Sequence, residues 1–520
     1  MAQVELEFPA DAPLLADNER QPDHSHRRDD DDDAASPPAL KAARWQVKSP
    51  KTAVNMIAFL EFMIVASGML LMIPVFRLIE DTVCHVYYGD DSLDLIDEMK
   101  CKADEVQARM AYLLGWLGLF NSIMSLLTTF PYGMLADKIG RKPTVLLAYG
   151  GMALSPIFGP LMLGLGQHVL RRNPYLLMIS SLFLLIGGGA PVVLAMLYAM
   201  AADVSSEKDK AASFLKLTFG ATAGGLAGPL LTGFLMERFG PWVPIFVACS
   251  SFPLTMLLFC FIPETLRVDR RTKMGDNDVS IKALRQQLSN SLTDLREALG
   301  LLKNPSIPLV LLTFLFQSAR FTAYTSTIIQ YVSKHFGWRL AETSFLLAPF
   351  GLLNLTVLAV LPKISDMLMS RRFGYSSFGK DLFLTRYSTV LLLVGALIEG
   401  FSHNIALFVI GLFVETFGAA ASPLARATVT HYVEPEFVSR LYALVSTSEI
   451  VGSFIGGPVL AWCFDVGLQK KGVWTGLPWF YIALLSTITW IGLLFVRPPP
   501  AKKDVADESG ETEPMNPHDE

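Results

Sequence analysis

Charge is scarce in this sequence where hydrophobic residues run longest. Of 520 residues, 18% are Asp, Glu, Lys or Arg and 52% are hydrophobic. That balance is too apolar for ordinary soluble domains and makes a lipid bilayer the expected solvent. A basic excess is also missing: 43 Lys and Arg stand against 48 Asp and Glu. No domain can neutralise a run of phosphates, so no nucleic-acid partner is expected. Cysteine is sparse, and Cys84, Cys101, Cys249, Cys260 and Cys463 show no metal-ligand spacing, so neither a metal nor a cofactor is expected. Gly374 to Asp381 has the spacing of a phosphate-binding loop, but Asp381 stands where a Ser or Thr must hold the metal ion, and no strand precedes it. ATP hydrolysis, and an enzyme generally, are not expected. A short apolar core behind a basic flank, the mark of a cleavable signal, is lacking as well: residues 1–50 are polar and carry the acidic run Asp29 to Asp33. The first membrane helix is expected to act as the insertion signal.

What is present is a series of apolar runs long enough to cross a bilayer. Six lie near Val54–Leu78, Met110–Tyr132, Thr144–Leu165, Tyr175–Met200, Ser213–Met236 and Trp242–Ile262; six more lie near Ile307–Tyr331, Ser344–Ile364, Leu382–Gly400, Ile405–Val429, Leu441–Phe464 and Leu477–Val496. The chain therefore divides into a disordered cytoplasmic tail (1–52), a six-helix bundle (53–263), a cytoplasmic central loop (264–305), a second six-helix bundle (306–497) and a second disordered cytoplasmic tail (498–520). Within the central loop, Ile281–Leu302 has the periodicity of a helix lying at the membrane surface. Short-loop basic residues set the orientation: Lys138, Arg141, Lys142, Lys208, Lys210, Lys363, Arg371, Arg372 and Lys380 share one side, outvoting Arg171 and Arg172 on the other. That places Asp81–Arg109 outside or in a lumen, where Cys84 and Cys101 are expected to form a disulfide.

Between the second and third spans stands Gly133-Met-Leu-Ala-Asp137-Lys-Ile-Gly140-Arg141-Lys142. Its glycines suit a tight two-helix connection, and Asp137 and Arg141 can pair across the turn. The weaker counterpart in the second half, Pro362 to Arg372, keeps Asp366 and the following bases but loses the glycines. The first segment resembles the loop signature of the major facilitator superfamily, in the position that family uses. The resemblance implies an all-α membrane protein of two pseudo-symmetric six-helix bundles, twelve transmembrane helices in all, that rocks about a midplane site. It also implies a conformational latch built from Gly133, Asp137, Gly140, Arg141 and Lys142, which Asp203 at the end of the fourth span is expected to join.

In the fifth span, Gly224, Gly228, Pro229 and Gly233 form a small-residue face suited to close helix packing. The same run resembles a motif of family members that export in exchange for protons, with Thr232 replacing one glycine. Helix four departs from drug exporters, carrying Gly187-Gly188-Gly189 without their arginine. The overall pattern is similar to fungal members near the proton-coupled folate and haem-carrier group, with tetracycline-type exporters next.

Ionisable residues inside spans carry a functional expectation. Gln317, Arg320 and Tyr324 share a face of the seventh span with Thr313, Thr327 and Tyr331, while Glu415 sits between Gly411 and Gly418 in the tenth. Because the resemblance implies that helices one, four, seven and ten line the cavity, Arg320 and Glu415 are expected to face each other there. Glu61 in the first span is the expected proton carrier of the same polar centre. Glu449 is expected to hydrogen-bond between helices, and Glu399 to lie near the outer end and reach water. The reading is a secondary active transporter of a small organic molecule, proton-coupled and exporting a secondary metabolite or xenobiotic, working as a monomer. Proton-coupled uptake and a transporter-like membrane sensor are the alternatives. A plasma membrane location is expected. A vacuolar one is the alternative, for which Asp11-Ala-Pro-Leu14-Leu15 offers a dileucine-like signal.

Overall fold

The computed structural model describes residues 43–499, apart from Leu93 and segments 206–209, 266–299, 371–373 and 434–437. The terminal tails, the dileucine-like run, nearly all of the central loop with its surface-helix segment, and Arg371 and Arg372 lie outside the described residues. So do the side chains of Asp137 and Asp366.

Among the described residues, twelve helices are long and apolar enough to cross a membrane and there is no β-strand. The first bundle comprises α1 (Pro50–Tyr88), α2 (Asp104–Ile139), α3 (Arg141–Leu165), α4 (Pro174–Val204), α5 (Lys210–Phe239) and α6 (Trp242–Phe261). The second comprises α7 (Ser306–His335), α8 (Leu340–Met369), α9 (Ser377–Gly400), α10 (Ile405–Thr430), α11 (Val438–Lys470) and α12 (Leu477–Leu494).

Helix α1 continues past Leu78 to Tyr88, so Cys84 sits in its last turns and not in a loop. This polar extension is stable because its charges are paired and buried. Lys102 bonds Glu80 at 2.6 Å and Glu98 at 3.1 Å, Gln107 donates to Glu80 at 2.6 Å, Arg77 donates to the Ile96 carbonyl, and Ile96 N donates to Asp81 at 2.9 Å. Burying this many ionisable groups is tolerable only with such extensive pairing. Cys84 and Cys101, both fully buried, are joined by a disulfide with Cα atoms 5.4 Å apart.

Along α5, three glycines bring its backbone onto α1. A Cβ on Gly220, Gly224 or Gly228 would lie 2.3 Å from Ala58 O, 2.6 Å from Phe62 O or 2.5 Å from Met69 Cβ. Gly233, one turn beyond Pro229, meets the Phe345 ring of α8 in the other bundle. Helices α2 and α11 form the other broad contact between bundles, with Gly115 packed on Gly457 and Ala461 and Tyr112 donating to Asp465 at 3.1 Å.

These crossings sit toward the end that carries the disulfide, the outer end in the orientation expected from the sequence. There Glu98 also accepts from Leu340 N at 2.7 Å, and Lys334 pairs with Asp104 at 2.6 Å and donates to the Lys102 carbonyl. The outer end is sealed. Gly115→Leu should hold it ajar, because a Cβ at 115 already stands 3.2 Å from Gly457 O. Overpacking of about 1–3 kcal/mol shifts a closed-to-open ratio roughly 5- to 150-fold. A cysteine introduced by Thr416→Cys should then react faster with an impermeant thiol reagent from the outer side. Equal labelling rates with and without Gly115→Leu would remove this role.

Candidate functional site

Helix α7 does not run straight through the second bundle. It widens into a π-helical turn at Ala323–Thr327, a distortion that often marks functional positions. Helix α10 breaks at Gly418–Ala420, between the stretches Ile405–Phe417 and Ala421–Thr430. The two interruptions flank one cavity, lined by Gln317, Arg320 and Tyr324 of α7, Asn354 of α8 and Glu415 and Thr416 of α10, with Phe321, Phe350 and Leu412 among its apolar walls. Arg320 and Glu415 meet across it at 3.9 Å, both largely buried. At that distance the pair is loose, and Arg320 Nε makes no hydrogen bond among the described residues. An arginine held this way is a fixed cation with donors to spare.

Glu399 departs from the sequence expectation. It does not reach water but is fully buried, and its Oε2 accepts from the Tyr324 hydroxyl at 2.8 Å. Glycines explain the inward placement of α9. A Cβ on Gly395 would lie 2.6 Å from Glu415 Cβ, and one on Gly411 would lie 2.7 Å from Glu399 Cγ. Backbones can therefore approach until both carboxylates reach α7. Sequence periodicity along α7 and α10 locates their own polar faces but says nothing of how closely α9 approaches.

Glu61 stands apart from this cavity. It is fully buried, and neither carboxylate oxygen has a hydrogen-bond partner among the described residues. It lies within electrostatic reach of Tyr198 in α4, whose hydroxyl is 3.2 Å from Thr218 of α5. It does not line the Arg320 cavity, so the structure does not assemble Glu61, Arg320 and Glu415 as one polar centre. Glu449 forms an ion pair with Arg426 at 2.6 Å, tying α11 to α10.

At the inner end, Arg141 lies 3.5 Å from Asp203. Glu264, which follows α6, accepts from the backbone N–H of Arg141 at 2.9 Å and of Lys142 at 3.2 Å, capping the start of α3. Lys142 donates to the Cys260 carbonyl at 2.7 Å and sits over the Trp45 ring. Gly140 is required twice: its φ is 112°, and a Cβ there would lie 2.4 Å from Glu264 Oε2. From the sequence alone Glu264 reads as the first residue of the central loop, with no capping role expected. The signal available was an acid directly after the sixth span, facing a basic loop on the same side. The described contacts of this cluster join α3, α4 and the end of α6 within one bundle. Gly133 lies inside α2. Glu264→Ala should cost about 0.5–2 kcal/mol, the usual worth of a helix cap, and Gly140→Ala more, read by thermal unfolding of the purified protein. Wild-type stability of Gly140→Ala would show that the cap geometry does not matter.

Two packed six-helix bundles, interrupted helices and a buried charged cavity between spans define an integral, multi-pass membrane transporter. The family model of the Major Facilitator Superfamily matches residues 110–380 and 378–517, and the chain belongs to that family. It is 28% identical over 425 residues to the MFS efflux pump atnC of Emericella nidulans, covering 78% of this chain and 80% of that protein. It is 26% identical over 451 residues to the MFS-type transporter aprT of Aspergillus flavus, covering 85% and 88%. Among solved structures, a D-xylose-proton symporter superposes with a TM-score of 0.60 at 12% identity, over 86% of this chain and 98% of that one. The human organic anion transporter MFSD10 (TETRAN) superposes with a TM-score of 0.52 at 17% identity, over 86% and 100%. At these identities the structural likenesses carry the fold alone.

Proposed function

We propose that this chain exports a small, amphiphilic organic molecule of the secondary-metabolite kind, by alternating access and in exchange for protons. The observation that carries the reading is the α7–α8–α10 cavity, where apolar and aromatic walls surround the loosely paired Arg320 and Glu415. Such a surface suits a cargo with a hydrophobic body and a polar group able to compete for the guanidinium. The names of relatives such as atnC, described as an efflux pump, support the outward direction. The disulfide end faces outside in this reading and the Arg141 end the cytoplasm, so the sealed outer end corresponds to a state loading from inside. The buried carboxylates Glu61, Glu399 and Glu415 supply groups for coupling, and a single copy of the chain contains the whole cavity. The plasma membrane is the proposed location.

The test is an untargeted comparison of metabolites inside and outside cells with and without the protein, at two external pH values. Export predicts at least one organic metabolite that accumulates inside when the protein is absent, with a larger difference at acidic external pH. A metabolite depleted inside cells lacking the protein would show uptake instead.

A further inference from the structure

We infer that Glu399 is a proton-holding site set between the cargo cavity and an outer recess, and connected to the cavity by Tyr324. The inference rests on the proton-coupled reading above and names a residue for it that lies on α9, outside the polar faces of α7 and α10.

Charge counting comes first. Arg320 is the one fixed cation among the described groups lining the cavity, yet two buried carboxylates lie around it, Glu415 paired with it and Glu399 bonded to the cavity-lining Tyr324. One guanidinium cannot neutralise both, and an uncompensated carboxylate in a dry interior is costly unless it takes up a proton. Glu415 is the one beside Arg320. Glu399 is bonded to a neutral phenol and has no cationic partner among the described residues. Its Oε1 lacks any hydrogen-bond partner among them and is the oxygen available to carry the proton, while Oε2 accepts from Tyr324.

The surroundings give this group two routes. Tyr324 lines the cavity and touches Glu399, so its hydroxyl bridges the two. A proton arriving on the Tyr324 oxygen from cavity water releases the phenol's own proton to the facing Glu399 oxygen; one O–H bond forms as the other breaks, the phenol is regenerated, and a half-turn of the carboxyl group carries the protonated oxygen to the unpartnered side and leaves the carbonyl oxygen accepting from Tyr324. Toward the outer end, Tyr331 lies within electrostatic reach of Glu399 and lines a recess with Asp104, Lys334 and His335. The titratable groups facing Glu399 are thus Tyr324 and Tyr331 from α7 and Glu415 from α10, with the charge of Arg320 one step away beside Glu415. Ser402, just past α9, bonds the Glu399 carbonyl at 2.7 Å. From α12, Trp479 packs 5.3 Å from the Tyr324 ring and 5.4 Å from Tyr331. This aromatic layer keeps bulk water out between the two routes. The π-helical turn holds Tyr324 at the junction.

The experiment is an infrared pH titration of the full chain in lipid nanodiscs with no cargo present, following the C=O stretch of protonated carboxyl groups. Wild type should show this band at neutral pH. Glu399→Gln should remove one component of it, Glu415→Gln should leave that component in place, and Tyr324→Phe should move it to higher frequency, as loss of a hydrogen bond to the carbonyl oxygen requires. A band unchanged by Glu399→Gln, or unmoved by Tyr324→Phe, would overturn the assignment. Should Glu399→Gln fail to fold, the Tyr324→Phe shift still decides. Because no cargo is used, failure of the export reading would appear separately, as unchanged metabolite levels with the carboxyl band intact.

Discussion

Arg320→Ala should abolish transport and destabilise the protein, while Arg320→Ala combined with Glu415→Gln should recover stability without recovering transport. Removing one partner of a buried pair leaves the other charge uncompensated, at a typical cost of about 3–5 kcal/mol. Both side chains here are largely buried, so water does little to relieve Glu415. Neutralising Glu415 removes that penalty, but the cavity still lacks its fixed cation and donors. Thermal unfolding of the purified variants and metabolite export from cells check the two halves of the expectation. A single Arg320→Ala variant that unfolds at the wild-type temperature and still exports would show that the pair neither holds the bundle nor binds cargo.

Replacing both cysteines, Cys84→Ser with Cys101→Ser, should have the next largest effect. Their separation of 17 residues closes a loop whose removal from the unfolded chain is worth about 3 kcal/mol. The same linkage holds Lys102 and Glu98 where they meet Lys334 and Leu340 N of the second bundle. The variant should therefore unfold at lower temperature and also spend more time with its outer end open. Impermeant-reagent labelling of the Thr416→Cys reporter separates the effects: faster labelling below the unfolding temperature reports the seal. Unchanged labelling with a lowered unfolding temperature would confine the disulfide to local stability.

Much of the architecture was legible in the amino-acid sequence because the bilayer simplifies the code. A span must be apolar for about 20 residues to satisfy its solvent, and all twelve runs read from the sequence correspond to membrane-length helices. The pairing of Arg320 with Glu415 was legible for a related reason. Polar residues that recur at helical spacing in an apolar span must face inward, and two such faces of opposite charge find each other. The spacing of Gly224, Gly228 and Gly233 likewise announced a close helix contact.

Other features depended on how far one backbone could approach another, which no single helix records. Glu399 reads as an outer-end residue until Gly395 and Gly411 let α9 sink against α10, carrying its carboxylate to Tyr324. Glu61 reads as a member of the same centre until α4 and α5 close around it, the latter through its glycine contacts with α1. The end of α1 reads as a loop because it is charged, and it is helical because Lys102, Gln107 and the 89–103 segment return to satisfy those charges. Glu264 became a cap only when α6 ended beside Gly140. Hydrophobic length and period are local quantities and so were fixed by the sequence order of residue types. Which buried charge meets which partner is set by interhelical distances of a few ångströms, and only the packed tertiary structure decides those.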